Sequence, residues 1–225
     1  MKFPKKVVKG SVKLRHKGLT LRDTRLCVTE IFEISVKSDS TIWYWSQRFC
    51  EEFKEVIHGL GNVLYGDETL VKTFAKGVFL YFWALRDLQR HCIVGYHVSE
   101  HRTLRDTKLF FWEARRKFPV DYLPESIRTD SMPAYRFAIS SVFSHNVRHD
   151  KYKSFKHGNN VIENFFRCKR RFPRFRTPES ARKYIAHWVY EYNKERLQIW
   201  TSFIIRRLKI IPERRHDKGH PVRNA

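Results

Sequence analysis

From about residue 60 the apolar residues stop recurring at helical spacing and crowd into short runs of Val, Leu, Phe and Tyr. "NVLYGDETLVKTF" and "GVFLYFWALRDLQ" are two such runs, joined by "AKG". Strand-forming residues on both sides of a short glycine-containing break are the pattern of a hairpin. "HCIVGYHVSE" continues as a third strand after the polar "RDLQRH". Thr103 and Asp106 then open an amphipathic helix, "TLRDTKLFFWEARRKF", stopped by Pro119. "ESIRTD" reads as a short strand, "MPAYRFAISSVF" as a helix with Pro133 near its start, and "NVRHDKY" as a fifth strand. This is a mixed α/β order, in which strand ends tend to carry the functional side chains. A basic helix follows in "HGNNVIENFFRCKRRF", with Asn159 and Asn160 fit to cap it. The next helix is "TPESARKYIAHWVYEYNKE", with Thr177 as N-cap and Pro178 in first position.

Residues 5 to 57 keep the helical period instead. Gly18 ends a basic first helix, Thr20 with Asp23 has the spacing of a helix-starting box, and Ser38, Asp39 or Ser40 caps a third helix whose Ile42, Trp45 and Phe49 share one face. Three short helices with a tight turn before the last match a helix-turn-helix, in which Lys37, Ser38, Ser40 and Thr41 would meet DNA at the start of the last helix. An ordinary helical bundle or dimerisation module fits the same pattern. Trp43 and Trp45 read as core residues, with stacking on bases as the alternative.

The formal net charge of +22 makes nucleic acid the leading partner, because Lys and Arg in such excess neutralise phosphates and release their counterions. With 42% hydrophobic and 15% aromatic residues the chain has material for a packed core and is not a disordered basic tail. The longest apolar run, "VFLYFWAL", is far short of the roughly 20 residues of a membrane helix, and "MKFPKKVVKG" has no apolar core of a signal peptide. A cytoplasmic protein with no membrane and no small-molecule substrate is expected. Cys27, Cys50, Cys92 and Cys168 are scattered without zinc-ligand spacing and read as reduced packing residues.

One acid, Glu163, stands among Arg167, Lys169, Arg170 and Arg171 in the basic helix, where it opposes the binding of a polyanion. Asp67 lies mid-strand in "YGDET" and Asp130 ends the strand "IRTD". Three carboxylates from separate elements that converge would suit hard Mg²⁺ or Mn²⁺, two of which can serve phosphodiester chemistry. Glu68, next to Asp67, points to the other face of its strand and is left out of the set. Spacing alone leaves another reading open, with Asp67 a turn acid, Asp130 an N-cap and Glu163 a first-turn acid stabilised by the helix dipole.

Residues 19 to about 195 carry "LTLRDT", "STIWYW", "YGDET", "LYFWALRD", "RTDSMPAY" and "NNVIENFFRCKRR". In these motifs the chain resembles DDE transposases of bacterial and archaeal insertion sequences, most closely the branch named after insertion sequence six. The resemblance implies an RNase H-like mixed sheet flanked by helices, with Asp67, Asp130 and Glu163 as a catalytic, metal-binding triad holding two Mg²⁺ or Mn²⁺ ions. The chain lacks a long zinc-binding region ahead of the helices, and Arg167 follows "ENFF" where many relatives place His and Arg together. Arg170, two turns after Glu163 on one helical face, and Lys169 are the candidate backbone contacts, together with Arg167 and Arg171.

The expected organisation is a helix-turn-helix domain over 1–58, an RNase H-like DDE catalytic domain over 59–198 and a basic, extended tail over 199–225. The expected activity is that of a DNA transposase on double-stranded transposon ends and target DNA, acting as a homodimer or higher oligomer. The alternatives are a non-catalytic, transposase-derived DNA-binding or regulatory protein and an RNA-processing nuclease on the same fold.

Overall fold

The computed structural model describes residues 3–48, 60–144, 146–151, 160–167 and 172–207. Helices α1 (Lys5–His16), α2 (Leu21–Phe32) and α3 (Asp39–Arg48) come first. A five-stranded sheet follows, β1 (Val63–Lys72), β2 (Phe79–Asp87), β3 (Ile93–Ser99), β4 (Ser126–Thr129) and β5 (Arg148–Lys151). Its helices are α4 (Leu104–Arg115), α5 (Pro133–Phe143), α6 (Asn160–Phe166) and α7 (Pro178–Arg207).

The strand order is β3-β2-β1-β4-β5. β1, β2 and β3 are antiparallel neighbours, while β4 runs parallel to β1 and β5 parallel to β4. This is a mixed sheet flanked by helices, as expected. The hairpin between β1 and β2 turns at Gly77, whose φ of 78° is open to glycine without strain. From Leu80 to Leu85 β2 has no charged residue because both of its faces are covered there. Phe82 and Ala84 enter the layer shared with α6 and α7, and Trp83 and Leu85 enter the layer shared with α4 and α5. Each fully buried Phe or Leu in these layers contributes roughly 1.5–3 kcal/mol. The Trp83 indole N–H, buried with its ring, donates to Ser99 Oγ at 2.8 Å.

Helix starts follow the sequence. Thr20 Oγ1 accepts the Asp23 N–H at 3.1 Å, Thr103 and Asp106 form a reciprocal capping box, Pro133 opens α5, and Thr177 Oγ1 accepts the Ser180 N–H at 3.1 Å. The N-terminal helices enclose a small core of their own around Val7, Val12, Val28, Ile42 and Trp45. α1 and α3 also rest on α7, where Lys17 pairs with Glu195. The side-chain amide of Asn193, on α7, donates to Ile93 O and accepts from Ile93 N, both at 2.7 Å, which covers the start of edge strand β3. α7 continues to Arg207, so the segment expected to be an extended tail from residue 199 begins as helix. The first tryptophan of α3 also departs from expectation. Ile42 and Trp45 share the buried side, whereas Trp43 is turned away from it and is 42% exposed.

Candidate active site

Pairing of β1 with β4 runs from Val63 opposite Ser126 to Tyr65 opposite Arg128. Two positions further along each chain stand Asp67 and Asp130, side by side by parallel register, at the point where β4 has ended. The end of that strand leaves room beside β1. Carboxylate oxygens of Asp67, Glu68 and Asp130 all lie within 4.8 Å of one another.

The alternation expected for β1 holds. Tyr65 and Val71 belong to the layer of α6 and α7, so Asp67 shares their face, while Glu68 shares the face of Leu64 and its carboxylate accepts a hydrogen bond from Tyr135 Oη on α5. What spacing does not convey is reach. Glu68 comes close to the two aspartates because it lies at the open margin beyond β4. Its side chain is 7% exposed, and burial pushes its carboxyl pKa up, against the lowering effects of the Tyr135 hydroxyl and the Arg102 guanidinium. The Tyr135 phenol is held well above its ordinary value, first by burial and then by Glu68 and Asp67.

Asp130 is held from two sides. Oδ1 accepts the Met132 N–H at 2.9 Å, and Oδ2 accepts from Arg102 Nη2 at 3.2 Å. The same Nη2 pairs with Glu68. Behind Asp130, Thr129 Oγ1 is 2.8 Å from His149 Nε2 on β5, and burial followed by Lys151 lowers the His149 pKa. Arg102 and Tyr135 did not stand out by spacing. Arg102 is one of many arginines and precedes the Thr103 cap, and Tyr135 lies within "RTDSMPAY" as an apparently apolar helix residue.

An oxygen-only set of carboxylates suits a hard divalent cation such as Mg²⁺ or Mn²⁺, and Asp67 and Asp130 fit one by proximity and chemistry, with Glu68 close beside them. Glu163 lies outside this cluster, in the first turn of α6 and half-buried. α6 packs Ile162, Phe165 and Phe166 into the layer on the Asp67 side of the sheet and rests on β1. Arg167 is exposed just beyond α6. Lys169, Arg170 and Arg171, like Asn159, fall outside the described residues.

At the start of α3, Lys37 and Ser40 are exposed, and Ser38 and Thr41 are half-buried. Ser38 shapes the turn there, its Oγ accepting the Ser40 N–H at 3.1 Å and its carbonyl the Thr41 N–H at 3.1 Å. Cys27 and Cys92 are free thiols; Cys50 and Cys168 lie outside the described residues. Among the described residues no helix is long and apolar enough to cross a membrane.

The family model DDE_Tnp_IS240, a DDE domain, matches residues 63–194, which take in Asp67, Asp130 and Glu163. The chain belongs to this DDE-domain family. No curated protein matches it by sequence. Among solved structures, this DDE-domain chain is similar to the HTLV-2 integrase catalytic core domain in complex with magnesium, at 20% identity and a TM-score of 0.34 over 47% of this chain and 66% of that one. It is also similar to the simian T-cell lymphotropic virus intasome, at 14% identity and a TM-score of 0.39 over 79% of this chain and 64% of that one. A third is the catalytic core domain of BIV integrase, at 11% identity and a TM-score of 0.36 over 48% and 65%. The chain thus spans just under two thirds of the length of each of these relatives.

Proposed function

We propose that the protein is a DNA transposase of the insertion-sequence-six branch, which binds the terminal inverted repeats of its element and carries out metal-dependent strand cleavage and strand transfer. The observation that carries this reading is the meeting of Asp67 and Asp130 at the end of the β1 and β4 pairing, in a chain whose DDE-domain match takes in both. Asp67, Asp130 and Glu163 are assigned as the triad. In support, α6, which carries Glu163, packs on the sheet face that Asp67 occupies, whereas Glu68 faces the opposite layer and is engaged by Tyr135 and Arg102. These acids would hold two Mg²⁺ or Mn²⁺ ions, whose chemistry when bound is to activate the attacking oxygen and stabilise the leaving one.

Lys37, Ser38, Ser40 and Thr41 would read or position the repeat from the start of α3, in a helix-turn-helix formed by α1 to α3. Arg167, Lys169, Arg170 and Arg171 would grip the backbone beside the acids, so that cations hold the polymer that the carboxylates alone would repel. The reaction is hydrolysis of a phosphodiester followed by attack of the freed 3′-hydroxyl on target DNA. Water takes the place of one ester oxygen in the first step and the 3′-oxygen does so in the second, so no covalent protein intermediate is needed. Joining two ends to a target calls for at least a dimer on DNA, acting on the chromosome in the cytoplasm.

The test is Mg²⁺-dependent cleavage and joining of repeat-end DNA by the purified protein. Asp67→Asn, Asp130→Asn and Glu163→Gln should each abolish both steps while DNA binding persists. If Glu163→Gln cleaves as well as the parent, the triad assignment is wrong. If the parent binds repeat ends and never cleaves them, the protein is instead a transposase-derived binding protein.

A further inference from the structure

Arg102 sits where β3 passes into α4, and its side chain is 39% exposed. One nitrogen, Nη2, makes both of its ion pairs, to Glu68 and, at 3.2 Å, to Asp130. Glu68 is committed through both oxygens, Oε1 to Arg102 and Oε2 to the hydroxyl of the fully buried Tyr135. Asp130 is engaged too, but its side chain is 36% exposed, whereas Glu68, at 7%, is removed from water and relies on these two partners to offset its burial. The guanidinium is placed differently. It carries five N–H donors in a planar fork, only Nη2 is used in these two pairs, and part of the side chain meets solvent.

A phosphate drawn toward Asp67 and Asp130 approaches a cluster of three carboxylates. Among the described residues, Arg102 is the cation within hydrogen-bonding distance of that cluster, and the acid that pairs with it, Glu68, is fixed in turn by the buried Tyr135. A planar guanidinium of this kind recognises two phosphate oxygens at once. We propose that Arg102 is a phosphate-binding residue of the acidic centre, and that Glu68, braced by Tyr135, is the buried anion that aims it and not a third metal ligand. The proposal rests on the transposase reading of Asp67 and Asp130.

Two measurements on the full chain test it. In EDTA, binding of a fluorescent DNA duplex from the ends of the element is followed by anisotropy across a salt series. Arg102→Gln should reduce the slope of log K against log salt by about 1, the loss of one phosphate contact, while Arg102→Lys and Glu68→Gln keep the parent slope. With Mg²⁺, Arg102→Gln should lower kcat by roughly 10²-fold, as expected when one aligned donor to a reacting group is lost. Arg102→Lys, which keeps the charge and loses the fork, should fall between. Glu68→Gln should cleave at an unchanged Mg²⁺ requirement with a loss under about tenfold, since Arg102 is still present but less firmly aimed.

An unchanged slope together with unchanged kcat in Arg102→Gln overturns the proposal. So does abolition of cleavage by Glu68→Gln in a protein that melts like the parent, because that makes Glu68 a ligand. Intact cleavage by Asp130→Asn overturns the transposase reading of the centre instead. The salt slope in EDTA needs no cleavage and still decides Arg102.

Discussion

Gly95→Ala tests how closely α4 must lie on the sheet, and α4 begins two residues after Arg102. A Cβ built on Gly95 would stand 2.4 Å from Ala114 Cβ, 3.2 Å from Ala114 Cα and 3.5 Å from Leu85 Cβ. Non-bonded carbons rest about 3.5–4.0 Å apart, so the methyl group forces α4 from β3 by about 1 Å or more. Neither contact on Ala114 is the end of a flexible side chain, and β3 is clamped on its other side by Asn193. Overpacking of this type costs about 1–3 kcal/mol, and the shortness of the contact places this case near 3. In urea, at an m-value of about 2 kcal/mol per M, the midpoint should fall by about 1.5 M. Adding Ala114→Gly removes the 2.4 Å contact and leaves the 3.2 Å one. The new glycine costs about 1 kcal/mol of helix propensity, so the double variant should still be more stable than Gly95→Ala by about 1 kcal/mol. The coupling energy in the double-mutant cycle should then be about 2–3 kcal/mol. An unchanged midpoint for Gly95→Ala, or strict additivity of the two substitutions, refutes the reasoning.

Asp87, fully buried at the end of β2, accepts the Gly61 N–H at 2.7 Å, the Gln89 N–H at 2.8 Å and the Arg90 N–H at 3.1 Å. Asp87→Ala should lower the unfolding free energy by about 3 kcal/mol or more and speed hydrogen exchange at the Gly61 amide, and slow exchange there would contradict it. In α3, Trp45→Ala removes a core ring and should cost about 3–5 kcal/mol. Trp43→Ala loses the contact with Arg176, centred 5.9 Å from the ring, and should cost no more than about 1 kcal/mol, so equal losses in denaturation curves would overturn the assignment of faces. The His149 pKa is lowered from 6.5 by burial, then by Lys151 and Arg136, with Asp150 and Asp130 acting the other way. The unfolded chain therefore takes up this proton more readily than the folded one, and stability should fall as the pH drops through about 6.5. His149→Gln should flatten that part of the stability profile, and an unaltered profile would remove His149 as its source.

Much of the frame was legible because it is local. Thr20 with Asp23, Thr103 with Asp106, Pro133 and Pro178 mark helix starts through bonds that span one turn. The runs in β1 to β3 announce strands through period and residue type. Asp67 and Asp130 were reachable as a pair, since each lies on a recognisable strand or at its end. Trp43 was harder, because its exposure depends on which side of α3 finds a core to enter. The helical run past residue 198 was obscured because the basic residues and the prolines at 212 and 221 that follow it suggest an extended tail.

The sequence by itself determined the kinds of element, their order and the opposite faces of Asp67 and Glu68, since these follow from backbone periodicity and from partners a few residues away. Only the tertiary structure decided that β4 stops level with Asp67, that Glu68 can therefore share a margin with both aspartates, and that Arg102 and Tyr135 engage it. Tyr135 lies 67 positions from Glu68 and Arg102 lies 28 from Asp130. Contacts over such separations depend on strand register and helix docking, which are set by packing of the whole chain and leave no local pattern to read.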